Sequence, residues 1–362
     1  MTAAARALQR RWWRPRLTPL TALLAPLGWL VGAEAARRRA AQSGRAPALP
    51  VPVIVVGNVI VGGAGKTPTV IALVELLRRW GRSPGIVSRG HGRDAADVQL
   101  LDAASAPTAD PACFGDEPLL MHRRTGAPIA VGRQRREAAL QLLAAHREVD
   151  VLIADDGLQH HALARDIELV VFDGRGLGNG HVLPAGPLRE RPGDVWPVRA
   201  DRDPARFVLV NGRWPVPPAL PLPAPAERCW IAERALGGAV ELTAWQNGAP
   251  AEAAALDALR GRPLLAAAGI GDPERFFSML EARGLRIERL PLPDHASFDP
   301  LPWDASTREV IVTEKDAVKL AGRTSPDLRV WVVTLDFGLP DGLADALRGA
   351  LAAAARPLTH PR

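Results

Sequence analysis

The stretch VVGNVIVGGAGKTPTV, residues 55–70, constrains the fold of this chain more than any other segment. Gly62, Gly63 and Gly65 lie between a short apolar run and a helical pattern, so the order is strand, glycine loop (residues 58–67) and helix. Glycine lets backbone N–H groups turn toward phosphate oxygens, and the start of the helix adds a positive field. The stretch therefore predicts a phosphate site within an α/β fold.

One position departs from the common phosphate-loop pattern G-x-x-x-x-G-K-[ST], because Ile60 stands where its first glycine belongs. We expect the later glycines to form the turn, Lys66 to reach the β- and γ-phosphates, and the Thr67 hydroxyl to ligate Mg²⁺. A glycine-rich turn that binds nothing is the alternative. The predicted ATP-binding residues are Gly62, Gly63, Ala64, Gly65, Lys66, Thr67 and Pro68.

Strand and helix patterns alternate along the first two thirds of the chain, which predicts a parallel, doubly wound sheet flanked by helices. Short apolar runs indicate strands at 53–56, 85–88, 128–131, 150–156 and 167–172. Apolar residues at helical spacing indicate helices at 67–80 and 133–146.

A proline-rich stretch, residues 214–227, interrupts this alternation. Further strand–loop–helix patterns follow it, which predicts a second, smaller α/β domain. The predicted organisation is an N-terminal helical segment (1–42), a phosphate-loop domain (43–213) and the smaller domain (214–362).

Composition narrows the possible classes of protein. The chain has 362 residues, of which 47% are apolar and 23% charged, so it is predicted to be globular, with about two domains. A net charge of +6 favours anionic partners, but no nucleic-acid-binding signature is present. Cys113 and Cys229 are the only cysteines, which argues against a disulfide framework or a cysteine metal site.

The N-terminus contains no acid in residues 1–33 and carries an uncharged run at 17–33. That run is short for a membrane-spanning helix and contains proline and glycine. A secretory signal conflicts with the nucleotide site, so we favour a helix in the membrane interface over a core helix with a basic flank. Residues on one predicted face are Leu20, Leu23, Leu24, Leu27, Leu30 and Val31, with Trp12, Trp13 and Trp29 near them.

Two pairs of acids accompany the glycine loop. Asp155 and Asp156 end an apolar run, where a carboxylate can hold Mg²⁺ beside a phosphate loop, although the same residues suit a surface turn. Asp116 and Glu117 begin a helix pattern, where they are either helix-capping acids or, as a second reading, a carboxylate that orients or deprotonates an acceptor hydroxyl.

The chain resembles the tetraacyldisaccharide 4'-kinase (lipid A 4'-kinase) family through eight motifs that run in order from residue 57 to residue 320. They are GNVIVGGAGKTPT, SRGHGR, GDEP, DDGLQHH, LPAGPLRE, GIGDPERFF, DHASFD and VTEKDAVKL. The resemblance implies transfer of the ATP γ-phosphate to the 4'-hydroxyl of a lipid A disaccharide 1-phosphate, giving lipid IVA. It also implies an N-terminal anchor at the cytoplasmic face of the inner membrane. No obligate protein partner is evident from the sequence.

The resemblance assigns roles to particular residues. Asp116 corresponds to the catalytic base, assisted by His295. Thr67, Glu117, Asp155 and Asp156 correspond to groups around the metal. Residues expected to contact the sugar or its phosphate are His91, Arg135, Asn179 and Arg189.

The chain departs from the family at two motifs. His91 stands where tyrosine is common, and the chain has no tyrosine at all. Only His295 is present where two histidines are common. Two other classes are alternatives: a phosphate-loop nucleotide switch or metallochaperone NTPase, and a membrane-anchored scaffold with a vestigial loop.

Overall fold

The computed structural model describes residues 3–42, 46–90, 93, 97–106, 109–195, 204–212, 226–320, 322–323 and 327–355. Its strands are β1 Val53–Gly57, β2 Pro84–Ser88, β3 Gln99–Leu101, β4 Ile129–Val131, β5 Val151–Asp155, β6 Ile167–Asp173, β7 Ala205–Asn211, β8 Cys229–Ala232, β9 Arg234–Glu241, β10 Pro263–Ala268, β11 Arg286–Pro291, β12 Glu309–Thr313 and β13 Arg329–Phe337. Its helices are α1 Ala3–Trp12, α2 Pro19–Leu23, α3 Ala25–Gln42, α4 Lys66–Arg79, α5 Pro111–Phe114, α6 Asp116–Thr125, α7 Arg135–Ala145, α8 Pro192–Val195, α9 Leu242–Gln246, α10 Ala253–Asp257, α11 Pro273–Ala282, α12 Glu314–Ala317 and α13 Asp341–Ala353.

The first sheet has eight strands in the order β3-β4-β2-β5-β1-β6-β7-β8, and all neighbours are parallel except β3 and β4. The predicted parallel α/β sheet flanked by helices is confirmed. β1 lies between β5 and β6, so the chain order changes direction at this strand. Ligands of open α/β sheets bind at such a point, beyond the carboxyl ends of the strands.

The second sheet has five strands in the order β11-β10-β12-β13-β9, with only the β13–β9 pair antiparallel. One contiguous core includes buried side chains of both sheets, for example Val55 of β1 and Val332 of β13. The predicted domain boundary at residue 213 stays a prediction. The sheets themselves divide between Ala232, where β8 ends, and Arg234, where β9 begins.

The N-terminal helices α1 to α3 leave an apolar surface in solvent. Among residues 3–42 and the other described ranges, no helix combines the length and apolar character that crossing a bilayer requires. Helix α3 packs on the body through glycine, because a Cβ at Gly28 would lie 2.6 Å from the carbonyl oxygen of Val182. The exposed large side chains, which we call the apolar face, are Leu20, Leu23, Leu27, Trp29, Leu30 and Val31.

Candidate functional site

The first part of the glycine loop is strand-like and pairs with a distant loop. Ile60 is fully buried and forms an antiparallel bridge with Leu188, and the Val61 N–H donates to the Pro187 carbonyl at 2.8 Å. A buried side chain in extended backbone is suited to isoleucine rather than glycine. This pairing explains why the common pattern fails at Ile60, since the turn begins only after it.

Side chains hold successive carbonyl groups of the glycine loop, one from Asn58 at its start and the others from Arg175, Asn211 and Arg234 outside it. A peptide is planar, with its C=O and N–H on opposite sides, so a carbonyl held outward turns the next N–H inward. Three consecutive peptides are held in this way, which aligns N–H groups for an anion. The bonds are Asn58 Nδ2 to Gly62 O (3.2 Å), Arg175 Nη2 to Gly63 O (3.4 Å), Asn211 Nδ2 to Ala64 O (2.8 Å) and Arg234 Nη2 to Ala64 O (3.2 Å).

Gly65 ends the loop in the left-handed region, with φ 87°, and α4 begins at the next residue, Lys66. A Cβ at Gly65 would collide with the guanidinium of Arg234, so only glycine fits this position. Burial and the neighbouring charge of Arg275 lower the pKa of Arg234 to about 10. The start of α4 therefore combines N–H groups, Lys66 and a buried guanidinium in one place.

Asp155 ends β5 directly beside β1, where it pairs in register with Val56. Its Oδ2 accepts a hydrogen bond from the Ser88 hydroxyl at 3.0 Å, whereas its buried Oδ1 has no hydrogen-bond partner. Burial, together with the negative charges of Glu117 and Asp156, raises the pKa of Asp155 to about 7. The side chain is thus a buried acid in a negatively charged surrounding.

Asp156 is held differently from its neighbour. It adopts a left-handed backbone conformation, with φ 47°, and its Oδ1 lies 3.5 Å from Lys66 Nζ and 3.1 Å from Arg189 Nη1. Burial acts to raise the pKa of Asp156, but the charges of Lys66 and Arg189 outweigh it and the pKa is lowered. Asp156 is therefore an ionised carboxylate beside the loop lysine.

The acids fit Mg²⁺ as a partial ligand set. Among the described residues no group of three or more His, Cys, Asp or Glu side chains forms a metal cage. Mg²⁺ is commonly held by one or two carboxylates together with substrate phosphates and water, so a cage is not required. The unpartnered Oδ1 of Asp155 and the Thr67 hydroxyl at the start of α4 suit that kind of site.

A second pair of titratable groups joins the two sheets. Asp116 begins α6, and His295 lies in the loop after β11 with φ 61°. His295 Nδ1 is 3.0 Å from Asp116 Oδ2. That hydrogen bond raises the pKa of His295; burial works to raise the pKa of Asp116, but the same bond and the charges of Lys315 and Lys319 lower it.

Two lysines of α12 and its following turn surround this pair. Lys315 Nζ donates to Glu117 Oε1 at 2.9 Å and to Asp294 Oδ1 at 3.1 Å, and it lies 3.4 Å from His295 Nε2. Burial opposes its charge, but the acids around it outweigh burial and raise the pKa of Lys315. Lys319 Nζ lies 3.9 Å from Asp116 Oδ2. Asp116 is therefore a carboxylate held between one imidazole and two ammonium groups.

A cavity of about 690 Å³ brings these parts together. Its lining includes the glycine loop from Gly62 onward, Glu117 of α6, and His295 and Lys315 from the part of the chain that forms the second sheet, the second unit. Apolar side chains of both units line another part of the wall, among them Ile71 and Phe276. The volume and the mixture of apolar wall and converging charges are those of a ligand site.

Comparison with known proteins identifies the family. The family model described as LpxK, tetraacyldisaccharide-1-P 4'-kinase, matches residues 20–352. The chain belongs to the tetraacyldisaccharide 4'-kinase family. Relatives with that name include one from Methylibium petroleiphilum, 53% identical over 95% of this chain and 93% of the relative. Another, from Leptothrix cholodnii, is 51% identical over 91% of this chain and 92% of the relative.

A solved structure supports the same fold. The crystal structure of LpxK from Aquifex aeolicus, in complex with ATP, has a TM-score of 0.71 to this chain at 24% identity. The similarity covers 92% of this chain and 99% of that chain, so it includes both sheets. The predicted membership of the tetraacyldisaccharide 4'-kinase family is confirmed.

Most residues predicted for this kinase family meet at the cavity. Those that line it are Gly62, Gly63, Ala64, Gly65, Lys66, Thr67, Pro68, Glu117, Asp156, Arg189 and His295. Asp116 and Asp155 are not among the lining residues. Asp116 is hydrogen-bonded to His295, which lines the cavity, and Asp155 ends β5 directly before Asp156, which also lines it. Their roles in a kinase reaction stay predictions.

Two of the residues predicted to contact the sugar or its phosphate do not line the cavity. Arg135 is buried and points to the Asp156 carbonyl, with Nη2 to O at 3.4 Å. The buried Asn179 amide donates to the Ala185 carbonyl at 2.9 Å, so it serves its own loop. Neither is among the cavity-lining residues, and their substrate contacts stay predictions. His91 lies outside the described residues.

The sequence patterns predict no role for Lys315, Lys319 or Arg234. Only three of the chain's 45 basic residues are lysine, and all three lie at this site: Lys66, Lys315 and Lys319. An ammonium group is compact and donates in several directions, so arginine does not replace it where space is limited. The rarity of lysine is thus the signal that could have identified the two residues of VTEKDAVKL.

Proposed function

We propose that this chain is an ATP-dependent kinase that phosphorylates the 4'-hydroxyl of a tetraacyldisaccharide 1-phosphate and so produces lipid IVA. ATP is the phosphate donor and Mg²⁺ the metal. The observation that supports this most directly is the shared cavity, in which His295, bonded to Asp116, faces the same space as Lys66 and the glycine loop. Family membership supports the activity and does not favour a nucleotide switch or a metallochaperone.

The glycine loop and α4 would hold the triphosphate. N–H groups turned inward by these carbonyl contacts would donate hydrogen bonds to the phosphate oxygens, and Lys66 would neutralise the charge of the group to be transferred. Thr67, Asp155, Asp156 and Glu117 are the proposed side chains around the metal. Mg²⁺, when bound there, would neutralise the negative charge that develops on the phosphate oxygens.

Asp116 would act on the acceptor hydroxyl. The Asp116 pKa is lowered, so the carboxylate is ionised at neutral pH and can accept the proton of the hydroxyl. His295 Nδ1, 3.0 Å away, fixes the carboxylate and shares the proton afterwards. Arg189, whose Nη1 is bonded to Asp156, is the proposed contact to the sugar or its phosphate that also lines the cavity. Positioning and charge neutralisation then supply most of the acceleration.

The apolar face would attach the chain to the membrane surface. Leu23 is 78% exposed and Trp29 63% exposed, which is costly in water but favourable against acyl chains. Helix α3 turns Gly28 and Gly32 to the body, so the large side chains point the other way. An anchored enzyme meets a lipid-borne acceptor at the cytoplasmic face of the bacterial inner membrane, which is where we propose that it acts.

A phosphotransfer assay tests the proposed activity. Purified protein, Mg-ATP and tetraacyldisaccharide 1-phosphate in detergent are expected to give the 4'-phosphorylated product. Asp116→Asn is expected to lower kcat by about 10²–10⁴-fold, the usual contribution of a general base, while ATP binding persists. Absence of product with the unaltered chain would refute the kinase assignment, and loss of ATP binding in the variant would give Asp116 a structural role instead.

Vesicle sedimentation tests the attachment separately. The triple change Leu23→Ser, Leu27→Ser and Leu30→Ser is expected to release the protein from vesicles that contain anionic phospholipid. Ile231→Ser is the matched control, because Ile231 is an exposed apolar residue on β8, away from the N-terminal helices. Equal sedimentation of the triple variant and the control would contradict attachment through the apolar face.

A further inference from the structure

The N-terminal segment lies outside both sheets, yet side chains of the body link it to the glycine loop. Trp13 follows α1 directly, and its ring lies 4.2 Å from the guanidinium carbon of Arg175. Arg175 Nη2 reaches the Gly63 carbonyl at 3.4 Å, and Asp173 holds the same guanidinium, with Nε to Oδ2 at 3.0 Å. Arg175 therefore joins an N-terminal tryptophan to the peptide between Gly63 and Ala64.

The end of α1 is fixed against the body, so Trp13 has a defined position. Trp12 is buried, its Nε1 donates to the Pro184 carbonyl at 3.0 Å, and its own carbonyl accepts the Asn179 N–H at 2.8 Å. A Cβ at Gly178 would lie 2.6 Å from the Trp12 carbonyl oxygen, which shows how closely the chains approach. The seat of α1 is therefore the 177–191 loop, the same loop that pairs with Ile60.

A second contact path starts from helix α3. Arg39 Nη1 lies 3.3 Å from Glu190 Oε2, and Glu190 Oε1 accepts from Gln159 Nε2 at 2.8 Å. Gln159 Oε1 accepts from Arg189 Nη1 at 3.2 Å, and Arg189 is the residue bonded to Asp156 beside the loop lysine. The glycine loop is thus linked indirectly to the end of α1 through Arg175, and to α3 through Glu190, Gln159 and Arg189.

We propose that Arg175 is a positioning residue that couples the seating of the N-terminal helices on the 177–191 loop to the shape of the phosphate site. The inference rests on the proposed ATP-binding function of the glycine loop. Arg175 holds the Gly63 carbonyl outward, which turns the Ala64 N–H toward the phosphate. Trp13 restricts the guanidinium to that orientation, because a cation is stabilised over the face of an aromatic ring.

This coupling has a reciprocal consequence. If the seated N-terminus favours nucleotide binding, bound nucleotide favours the seated N-terminus by the same factor. A chain whose N-terminal helices are displaced from the 177–191 loop would bind ATP more weakly. The two partners of the enzyme, nucleotide and lipid surface, would then be linked through Trp13 and Arg175 without any direct contact between them.

Calorimetric titration with the nonhydrolysable analogue AMP-PNP and Mg²⁺ tests the proposal on the full chain. Arg175→Ala is expected to weaken binding about tenfold, the effect of one lost hydrogen bond to a charged group. Trp13→Ala is expected to weaken it several-fold, and Trp13→Phe to restore most of the loss because it keeps an aromatic face. Arg348→Ala is the matched control, since Arg348 also lies over a tryptophan, Trp80, at the far end of α4.

The outcomes separate this proposal from the proposed function. If the unaltered chain fails to bind AMP-PNP, the nucleotide assignment itself is wrong. If it binds, and Arg175→Ala weakens binding while Trp13→Ala does not, Arg175 shapes the loop but the coupling to the N-terminus is refuted. Unchanged affinity in both variants would refute both parts, and thermal unfolding of each variant confirms that the protein measured is folded.

Discussion

At the scale of single residues, the site places carboxylates in opposite electrostatic surroundings. Asp116 lies among His295, Lys315 and Lys319, and its pKa is lowered. Asp155 is buried beside Glu117 and Asp156, and its pKa is raised to about 7. Groups whose pKa values are pushed in opposite directions divide the work of a site. Here one carboxylate is ready to accept a proton, and the other gives its proton up readily when a cation arrives.

Removal of His295 tests the positively charged environment of Asp116. In His295→Ala, burial acts on Asp116 without the opposing hydrogen bond, so the pKa of Asp116 rises and the acid limb of the kcat/KM profile moves to higher pH. Activity at pH 7 is expected to fall about 10²-fold and to recover partly at higher pH. His146→Ala is the control, because His146 pairs with Asp102 away from the cavity. An unmoved acid limb in His295→Ala would disprove this role of the imidazole.

The stability of Asp155→Asn tests the negatively charged, buried environment of Asp155. The folded-state pKa of Asp155 lies above that of a carboxyl in the unfolded chain, so the folded protein holds an extra proton between about pH 4 and pH 7. Its stability therefore falls as pH rises through that window. At pH 8 without metal, Asp155→Asn is expected to raise the midpoint of thermal unfolding by roughly 2–4 °C, with no gain at pH 4.

The same Asp155→Asn protein is expected to lose phosphotransfer, so stability and activity change in opposite directions. Asp345→Asn, at an exposed position of α13, is the control and should change neither. A destabilised Asp155→Asn protein at pH 8 would contradict the electrostatic account of this buried acid.

At the scale of elements, helix α3 packs closely against the 177–191 loop because Gly28 has no side chain. Gly28→Ala introduces a Cβ 2.6 Å from the backbone oxygen of Val182, which cannot move as a side-chain tip can. Such overpacking costs about 1–3 kcal/mol, so α3 is expected to loosen and its arginines to become more sensitive to trypsin. Gly349→Ala on α13 meets nothing within 4 Å and is expected to be neutral or stabilising by up to about 1 kcal/mol. Equal trypsin sensitivity would show that α3 is not seated through Gly28.

Local patterns in the sequence were sufficient for the elements around the glycine loop. The run at 53–56 and the helix pattern at 67–80 correspond to β1 and α4, because buried strands and amphipathic helices are fixed by nearby residues. The bridge from Ile60 to Leu188 joins segments 128 positions apart, and no local pattern reports such a pairing. For the same reason the contact of Lys315 with Glu117 could not be predicted from spacing.

At the scale of the whole molecule, the cavity has one wall on each sheet, so a ligand there holds both units. With Mg²⁺ and AMP-PNP at about 100 times its Kd, the folded state is expected to gain about 2.7 kcal/mol. A single unfolding transition should move upward, because the shared core joins the sheets. Lys66→Ala should remove most of the shift. Two separate transitions, of which only one responds to the ligand, would contradict a shared site.

The bridge between Ile60 and Leu188 also matters for inhibitor design. One side of this backbone contact continues into the turn that would take the nucleotide, and the other side belongs to the loop that carries Arg189. A small molecule that separated the two chains would distort the donor and acceptor sites together. By linkage, bound nucleotide would in turn oppose such a compound, although the two would occupy different places. Its binding place would consist of backbone pairing and buried apolar side chains.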